Sequence, residues 1–563
     1  MDIKKEISIL LKKRLPIGVE EIYSLIEIPP DNSFGDYSLP CFKLSHLLKE
    51  PAEKIAEKLA NTIPENEIIY NIEIKGSYLN FFINYNYIAR DLIKDIFDKK
   101  NKFGNSNEGK NKKIIIEFSS PNIAKPFNIG HLRSTVIGNS LSNIHSFLGY
   151  KCIKINHLGD YGTQFGVLIL AYKKYGNPEL LKKDPINHSL DLYVKMYKEI
   201  ENDSALKEEA KLWFKKLENN DKEAINLWKK FRDLSLNYFL KIYNILDIRF
   251  DSYTGESFYQ PLLDKMIKQL ELKKLTEIND NALVVNLEKH KMPPLLLKKS
   301  DDASTYATRD LAAAIYRINK FNPERIIYVV GSEQKLHFLQ FFKVLELLGY
   351  DKNRFIHVSF GLIKLPEGKA FSTRRGRLVL LEKVLNMAID LAKKTIEQKN
   401  PKLKNKEEIA KKIGIGSVIF ADLVNDRNND IIFDWNKILD FEGNTAPYLQ
   451  YTYVRCNSIL KKARKIPNKI NINNLETKYE IDLIKKLNNF NYYINQSSIH
   501  YKPSILAHYL LDLARSFNEF YHFCQILKEE QKIRNTRLLI VKSVKQVLEN
   551  GLSLLGIKTV EEM

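Results

Sequence analysis

Cysteine is scarce in this 563-residue chain, and the four that occur, Cys41, Cys152, Cys456 and Cys524, stand far apart. With no C-x-x-C pair and no histidine at ligand spacing, neither a disulfide framework nor a structural zinc is indicated, so four buried reduced thiols and no metal site are expected. Long apolar runs are missing too. None approaches the ~20 residues needed to cross a bilayer, so no membrane segment is expected. The start, "MDIKKEISILLKKRLP", flanks a very short apolar stretch with charge and has no small-residue cleavage site. That pattern is not secretory, and the expected location is the cytoplasm. No G-x-x-x-x-G-K-[ST] stretch occurs, which rules out a P-loop ATPase.

What is present is a soluble, multidomain composition: 44% apolar, 28% charged, with a net charge of +20. Such an excess suits a polyanionic partner such as nucleic acid. It also fits a chain whose composition is simply biased toward Lys, Asn and Ile, and it becomes evidence only beside a site that agrees with it.

Along the chain, residues 1–105 read as a small α/β module, with "PAEKIAEKLANTI" as an amphipathic helix and "NIEIKGSYLNFFIN" alternating as strands do. The polar run "KKNKFGNSNEGKNKK" marks a boundary. Residues 106–385 then repeat the β-loop-α-β order of a doubly wound parallel sheet. "KIIIEFSS", "KCIKINHLG", "NALVVNL", "ERIIYVVG" and "FIHVSFGLI" are its strand-like runs, and residues 177–245 form a helical insertion. A connecting helical segment, 386–440, leads to an all-α bundle at 441–563.

Ligands of such sheets lie beyond the strands' carboxyl ends, where helix N-termini offer unpaired N–H groups and partial positive charge. "SSPNIAKPFNIGHLRSTVIGNSL" (119–141) has that layout. Gly130 allows a phosphate close to the backbone, and Lys125, Asn128 and His131 can donate to its oxygens. A Gly-His before a helix is weak evidence by itself. "LPEGKAFSTRRGRLV" (365–379) gathers Lys369, Ser372, Arg374 and Arg375, either as a solvated basic hairpin or as a mobile loop that covers a polyphosphate.

At these two segments the chain resembles the class I aminoacyl-tRNA synthetases, with "NIGH" in place of H-x-G-H and "AFSTR" in place of K-M-S-K-S. The longer strings "EFSSPNIAKPFNIGHLRST", "NHLGDYGTQFG", "YATRDLAAAIYR", "YVVGSEQKLHFLQFF" and "GNTAPYLQYTYVR" are together similar to the arginyl-tRNA synthetase family, and the resemblance spans nearly the whole chain. It implies a Rossmann-like catalytic domain that activates arginine with ATP and Mg²⁺ and transfers it to tRNA(Arg). The phosphate-handling residues would be Lys125, Asn128, Gly130, His131, Lys369, Ser372, Arg374 and Arg375. Arginine would be held by Glu117, Asn122, Tyr306, Asp310 and Gln334. The N-terminal module would contact the tRNA elbow, and the C-terminal bundle would read the anticodon with Tyr448 and Tyr451. A monomer is expected.

From the residues alone, other readings stand beside these. Asp310 could be the N-cap of the helix that follows, Tyr306 a packed aromatic, His157 a core histidine, and Asp160 a turn residue that, with Gln164, could instead orient substrate. The three-residue spacing of Tyr448 and Tyr451 suits a buried helix face. Two positions depart from the family pattern: Asn128 replaces its first histidine, and Ala370 its first loop lysine, with Phe371 for the methionine. A small-cofactor adenylyltransferase and a catalytically silent tRNA-binding paralogue are the competing functions.

Overall fold

The computed structural model describes residues 3–64, 66–123, 125–364, 379–432, 440, 443–467, 470, 472 and 475–563. They fall into two compact units.

One unit joins residues 1–104 to 452–492 and 511–550. Its sheet is antiparallel in the order β1 (Tyr37–Pro40), β3 (Tyr78–Ile83), β2 (Ile69–Lys75). The helix Ala52–Thr62 buries Ile55, Ala56 and Leu59, a 3-4 spacing that makes one apolar stripe, and lays it against this sheet. The helix Lys478–Asn488 opens with a capping box, in which the Thr477 hydroxyl takes the Glu480 N–H and Glu480 returns a carboxylate to the Thr477 N–H. Glu480 also takes the buried Arg537 guanidinium at 2.7 Å.

The other unit holds residues 105–451, 493–510 and 551–563. Its centre is a four-stranded parallel sheet built from β4 (Lys113–Glu117), β5 (Lys151–Ile155), β9 (Arg325–Gly331) and β10 (Phe355–Phe360), in the order β10-β9-β4-β5. Ile114, Ile115 and Ile116 of β4 are all fully buried, as a strand covered on both faces requires. Burying each such side chain stabilises the fold by about 1.5–3 kcal/mol. Helix Gly130–Phe147 follows β4, and helix Lys335–Leu347 follows β9. Strand β4 therefore has its successor β5 on one side and the later β9 on the other, and the strand order reverses between β4 and β9. Ligands of doubly wound sheets bind at that point.

Between β5 and β9 the chain leaves the sheet for the helices Thr163–Tyr175, Pro178–Lys183, Pro185–Asn202, Ser204–Glu218 and Lys222–Leu246. Asn177, Asp184, Asp203 and Asp221 cap the last four with their side chains. The run "NALVVNL" does not join the parallel sheet. It forms β7 (Ala282–Val285) of a separate antiparallel sheet with β6 (Thr276–Asn279) and β8 (Leu295–Lys298). The reason is local: Asp280 and Asn281 both have positive φ, 49° and 60°, and make a two-residue hairpin turn that antiparallel pairing needs.

After β10, β11 (Ile363–Lys364) pairs in parallel with β12 (Ile431–Ile432). The helices Leu381–Lys399 and Lys406–Leu423 pack on each other. The last long helices are Pro503–Phe523 and Gln531–Leu554. No described helix is long and apolar enough to cross a membrane.

Candidate active site

A cavity of about 600 Å³ opens where the strand order reverses, lined from the ends of β4 and β9 and the starts of the helices beyond them. Strand β4 ends at Glu117, and the chain then turns through Ser119 and Ser120 at φ 70° and 43°. Left-handed backbone at non-glycine residues costs on the order of 1–3 kcal/mol each, and here it is fixed by polar latches. The Ser119 N–H donates to Ser134 Oγ at 2.8 Å, and Ser134 Oγ donates to the Val329 carbonyl at 2.7 Å. One serine of helix Gly130–Phe147 thus ties the end of β4 to β9.

At the helix start, Asn128 Oδ1 accepts the Gly130 N–H at 2.9 Å. A Cβ on Gly130 would lie 2.9 Å from that oxygen, so a larger residue here would displace the Asn128 side chain. The sequence suggested Asn128 as a phosphate donor. Its carbonyl oxygen is instead engaged in capping the helix, and only the amide nitrogen is left to donate outward.

His131 Nδ1 lies 3.1 Å from the Asn128 N–H and 3.3 Å from the Asn128 carbonyl, so the turn offers this nitrogen both a donor and an acceptor, and the neutral ring keeps one N–H in either tautomer. The ring stacks on Phe127, with centroids 4.9 Å apart. Burial, reinforced by the nearby Lys125 charge, pushes the His131 pKa down to about 4 against the pull of the Asn128 backbone. His131 is therefore a neutral hydrogen-bond donor near neutral pH.

The segment that begins at Val379 is pinned to this turn. The Ile129 N–H donates to the Val379 carbonyl at 3.0 Å, and the Leu381 N–H to the Phe127 carbonyl at 3.0 Å. On the other side, Arg133, 1% exposed, donates to the carbonyls of Gly361 at 2.8 Å and Asn429 at 2.7 Å and pairs with Asp422 at 3.1 Å. Lys369, Ser372, Arg374 and Arg375 lie outside the described residues, but the residues on both sides of that stretch are anchored beside the Gly130 turn.

The cavity wall is acidic. Glu117, Glu256, Asp310 and Glu333 line it, and no lysine or arginine among the described residues does. Two of these acids are balanced from behind: Glu117 by buried Arg317, and Glu256 by Arg309 at 2.8 Å. Burial raises the Glu256 carboxyl, with Arg309 opposing it. Asp310 has histidine partners instead, His337 Nε2 at 2.7 Å and His157 Nε2 at 3.8 Å. Burial alone would raise its pKa. The His337 hydrogen bond and the charges around it outweigh that and hold the carboxyl below its ordinary value. Asp310 is not an N-cap, because Thr305 occupies that position and Asp310 lies in the second turn of helix Tyr306–Phe321.

Tyr306 is 56% exposed, so it is no packed aromatic, and it sets its edge against His337. Asn122 and Gln334 line the exposed rim. Asn122 also touches the Gly159 loop, where a Cβ would fall 2.1 Å from Asn122 Oδ1. Asp160 next to it is fully buried and holds Arg232, the Ser257 N–H and the Ser257 hydroxyl, while Gln164 does not line the cavity.

The cavity thus gathers Glu117, Asn122, Gly130, His131, Tyr306, Asp310 and Gln334 from four separated segments. Lys125 and Asn128 stand in the adjoining turn. Sequence reasoning set His157 aside and missed His337, Glu256 and Arg317. Only His337 had a visible signal, three residues after Gln334 in "GSEQKLHF". Tyr448 and Tyr451 lie on helix Ala446–Lys462 and do not line the cavity. Tyr451 is 41% exposed and Tyr448 half-buried, so they do not form a buried face.

Comparison with known proteins gives a consistent picture. The family model described as tRNA synthetases class I (R), catalytic domain, matches residues 92–435. Those for the DALR anticodon binding domain and the arginyl tRNA synthetase N terminal domain match residues 449–563 and 1–83. The chain is 48% identical to the arginine–tRNA ligase of Halothermothrix orenii and 47% to that of Clostridioides difficile, each over the full length of both chains. Among solved structures, the Plasmodium falciparum arginyl-tRNA synthetase superposes with a TM-score of 0.82 at 28% identity, covering 100% of this chain and 98% of that one. The Thermus thermophilus arginyl-tRNA synthetase shares the fold, with a TM-score of 0.85 at 24% identity over 100% and 99%.

Proposed function

Because the chain belongs to the class I arginyl-tRNA synthetase family, we propose that the acidic cavity beyond β4 and β9 binds arginine and that the adjoining Gly130 turn binds the phosphates of ATP. The reaction is that of an arginine–tRNA ligase: ATP and arginine give arginyl-adenylate and pyrophosphate, and the arginyl group then passes to tRNA(Arg) with release of AMP. The observation that carries the placement is the wall of the cavity, to which the described residues contribute four carboxylates and no lysine or arginine, directly beside a helix N-terminus. A cation is favoured on one side and an anion on the other.

In the first step an oxygen of the arginine carboxylate attacks the α-phosphorus, and the bond to the bridging oxygen of pyrophosphate breaks. The His131 imidazole N–H, the Asn128 amide and the positive end of the Gly130 helix stabilise charge developing on the phosphate oxygens. Lys125 belongs to the same positive surface. Lys369, Ser372, Arg374 and Arg375 would cover the departing pyrophosphate. Asp310 meets the guanidinium, a planar donor set with no acceptor, while Glu117, Asn122, Tyr306 and Gln334 complete the pocket. In the second step the 2′-hydroxyl of the terminal adenosine attacks the activated carbonyl and AMP leaves. No covalent enzyme intermediate is involved, and catalysis rests on positioning and electrostatics.

Mg²⁺ would accompany ATP and neutralise part of its phosphate charge. Glu117, Glu256 and Asp310 are already engaged by Arg317, Arg309 and His337, so these carboxylates make no dedicated cage for it. The N-terminal module would contact the tRNA elbow, and the helical domain would read the anticodon with Tyr448 and Tyr451. Stacking a base on an exposed ring is worth about 1–3 kcal/mol. The enzyme would act as a cytoplasmic monomer. Omitting arginine, ATP and tRNA in turn tests this reading: pyrophosphate release and AMP formation that persist without arginine would contradict it.

A further inference from the structure

A buried arginine stands behind a cavity that is to accept an arginine. Arg317, 1% exposed on helix Tyr306–Phe321, does not line the cavity, but its guanidinium touches two residues that do. One terminal nitrogen pairs with Glu117 Oε2, and the other lies 3.3 Å from His157 Nδ1. The Tyr259 ring covers the guanidinium, with its centroid 5.7 Å away.

A guanidinium only donates, so His157 Nδ1 must accept and the ring proton sits on Nε2, the nitrogen facing Asp310 Oδ1 at 3.8 Å. One side chain thereby sets the position and charge balance of Glu117 and the tautomer of His157, whose other nitrogen faces Asp310. We propose that Arg317 is a positioning residue for arginine recognition, fixing Glu117 and His157 from behind so that their cavity-facing atoms and Asp310 present one arrangement to the cationic substrate. This rests on the reading of the cavity as the arginine site.

The planar fork is what the role requires. A lysine ammonium is a point charge and does not hold two partners in one plane. Removing the cation leaves Glu117 as a buried carboxylate without its partner, and such a group takes up a proton more readily. His157, Asp310, His337, Tyr259 and Tyr328 also surround this place. They remain in every variant below, and because Arg317→Gln alters the surroundings of His157 as well as of Glu117, the double variant Glu117→Gln/Arg317→Gln is what isolates Glu117.

Steady-state tRNA charging by the full-length enzyme, varying arginine and ATP separately, provides the test. Arg317→Gln is expected to raise the arginine KM at least about tenfold, less than the roughly 30-fold or more that truncating one partner of a buried charge pair costs, because Arg317 acts through Glu117 and His157 and does not touch the substrate. The KM for ATP should stay within about threefold, because the phosphate turn has no bond to Arg317. The arginine KM of Arg317→Gln should fall as pH rises between about 6 and 9, where a buried carboxyl without its cation ionises. In Glu117→Gln/Arg317→Gln that added pH dependence should vanish. Arg317→Lys should show a smaller rise in arginine KM without the added pH dependence, and it serves if the glutamine variant does not fold. An unchanged arginine KM in a folded Arg317 variant, or arginine and ATP KM rising together with no change in pH profile, overturns the proposal. Failure of the wild-type enzyme to charge tRNA with arginine would instead overturn the function it rests on.

Discussion

His337 Nε2 donates to Asp310 Oδ2 at 2.7 Å, across a helix–helix contact that brings residues 27 positions apart to one wall of the cavity. Asp310 is a half-buried carboxylate that histidines hold in place and that no lysine or arginine bridges among the described residues. It is therefore the natural partner for an incoming guanidinium. Asp310→Ala should raise the arginine KM by about 30-fold or more, the loss expected when one member of a buried charged pair is removed. His337→Ala should raise it less, since the carboxylate remains but is no longer oriented. An arginine titration of both variants at saturating ATP checks the order.

His131 should act on the rate rather than on arginine affinity. Loss of one preorganised donor at a charge-developing oxygen costs about 10²–10³ in kcat. His131→Ala is expected to lose that much in adenylate formation with an arginine KM close to the parent, as single-turnover measurements would show. His131→Asn keeps an N–H donor and should recover part of the rate.

Asn128 gives the opposite kind of test. Its Oδ1 holds the Gly130 N–H at 2.9 Å, so an aspartate could make the same cap but would set a negative charge beside the triphosphate. Asn128→Asp should therefore impair activation more than Asn128→Ala does, with the effect concentrated in ATP KM and kcat. Asn128→Asp activity equal to the parent would remove the residue from the phosphate site.

Two histidines, buried His145 and half-buried His131, make the fold sensitive to acid. The pKa values of His131 and His145 are pushed down by burial from 6.5 to about 4 in the folded chain. Unfolded chains bind more protons at these residues below pH 6.5, so the folded state loses stability as pH falls from about 6.5 toward 4. Chemical denaturation at a series of pH values should show the slope, and it should flatten in His145→Gln.

Arg133 and Asp422, 1% and 3% exposed, form a pair that secures the Gly130 helix to helix Lys406–Leu423. Asp422→Ala leaves an unpaired buried cation and should cost about 3–5 kcal/mol of stability, measurable by urea unfolding.

The sheet strands and long helices were legible because their apolar periodicity is strong: three buried isoleucines for β4, and 3-4 spacing for the helices. The run "NALVVNL" was misplaced because strand propensity says nothing about pairing partner, and the deciding signal was the Asp280–Asn281 turn before it. The residues of the cavity were legible only as matches to long motifs. Periodicity could not bring Glu117 and Asp310 together, for they are 193 positions apart and meet only through pairing of β4 with β9. His157 and Arg317 were opaque for a different reason. Each reads as an ordinary core or helix residue until the guanidinium is seen between Glu117 and the ring.

The central claim is that this cavity selects arginine for attachment to tRNA. Attachment of radiolabelled arginine to a total tRNA pool by the purified protein with ATP and Mg²⁺, run beside lysine and glutamine, tests it most directly. The account predicts arginine charging in large excess over both, despite Asn128 and Ala370 in the two phosphate segments. Binding of tRNA with no amino acid attached, or charging with lysine or glutamine as good as with arginine, would contradict it.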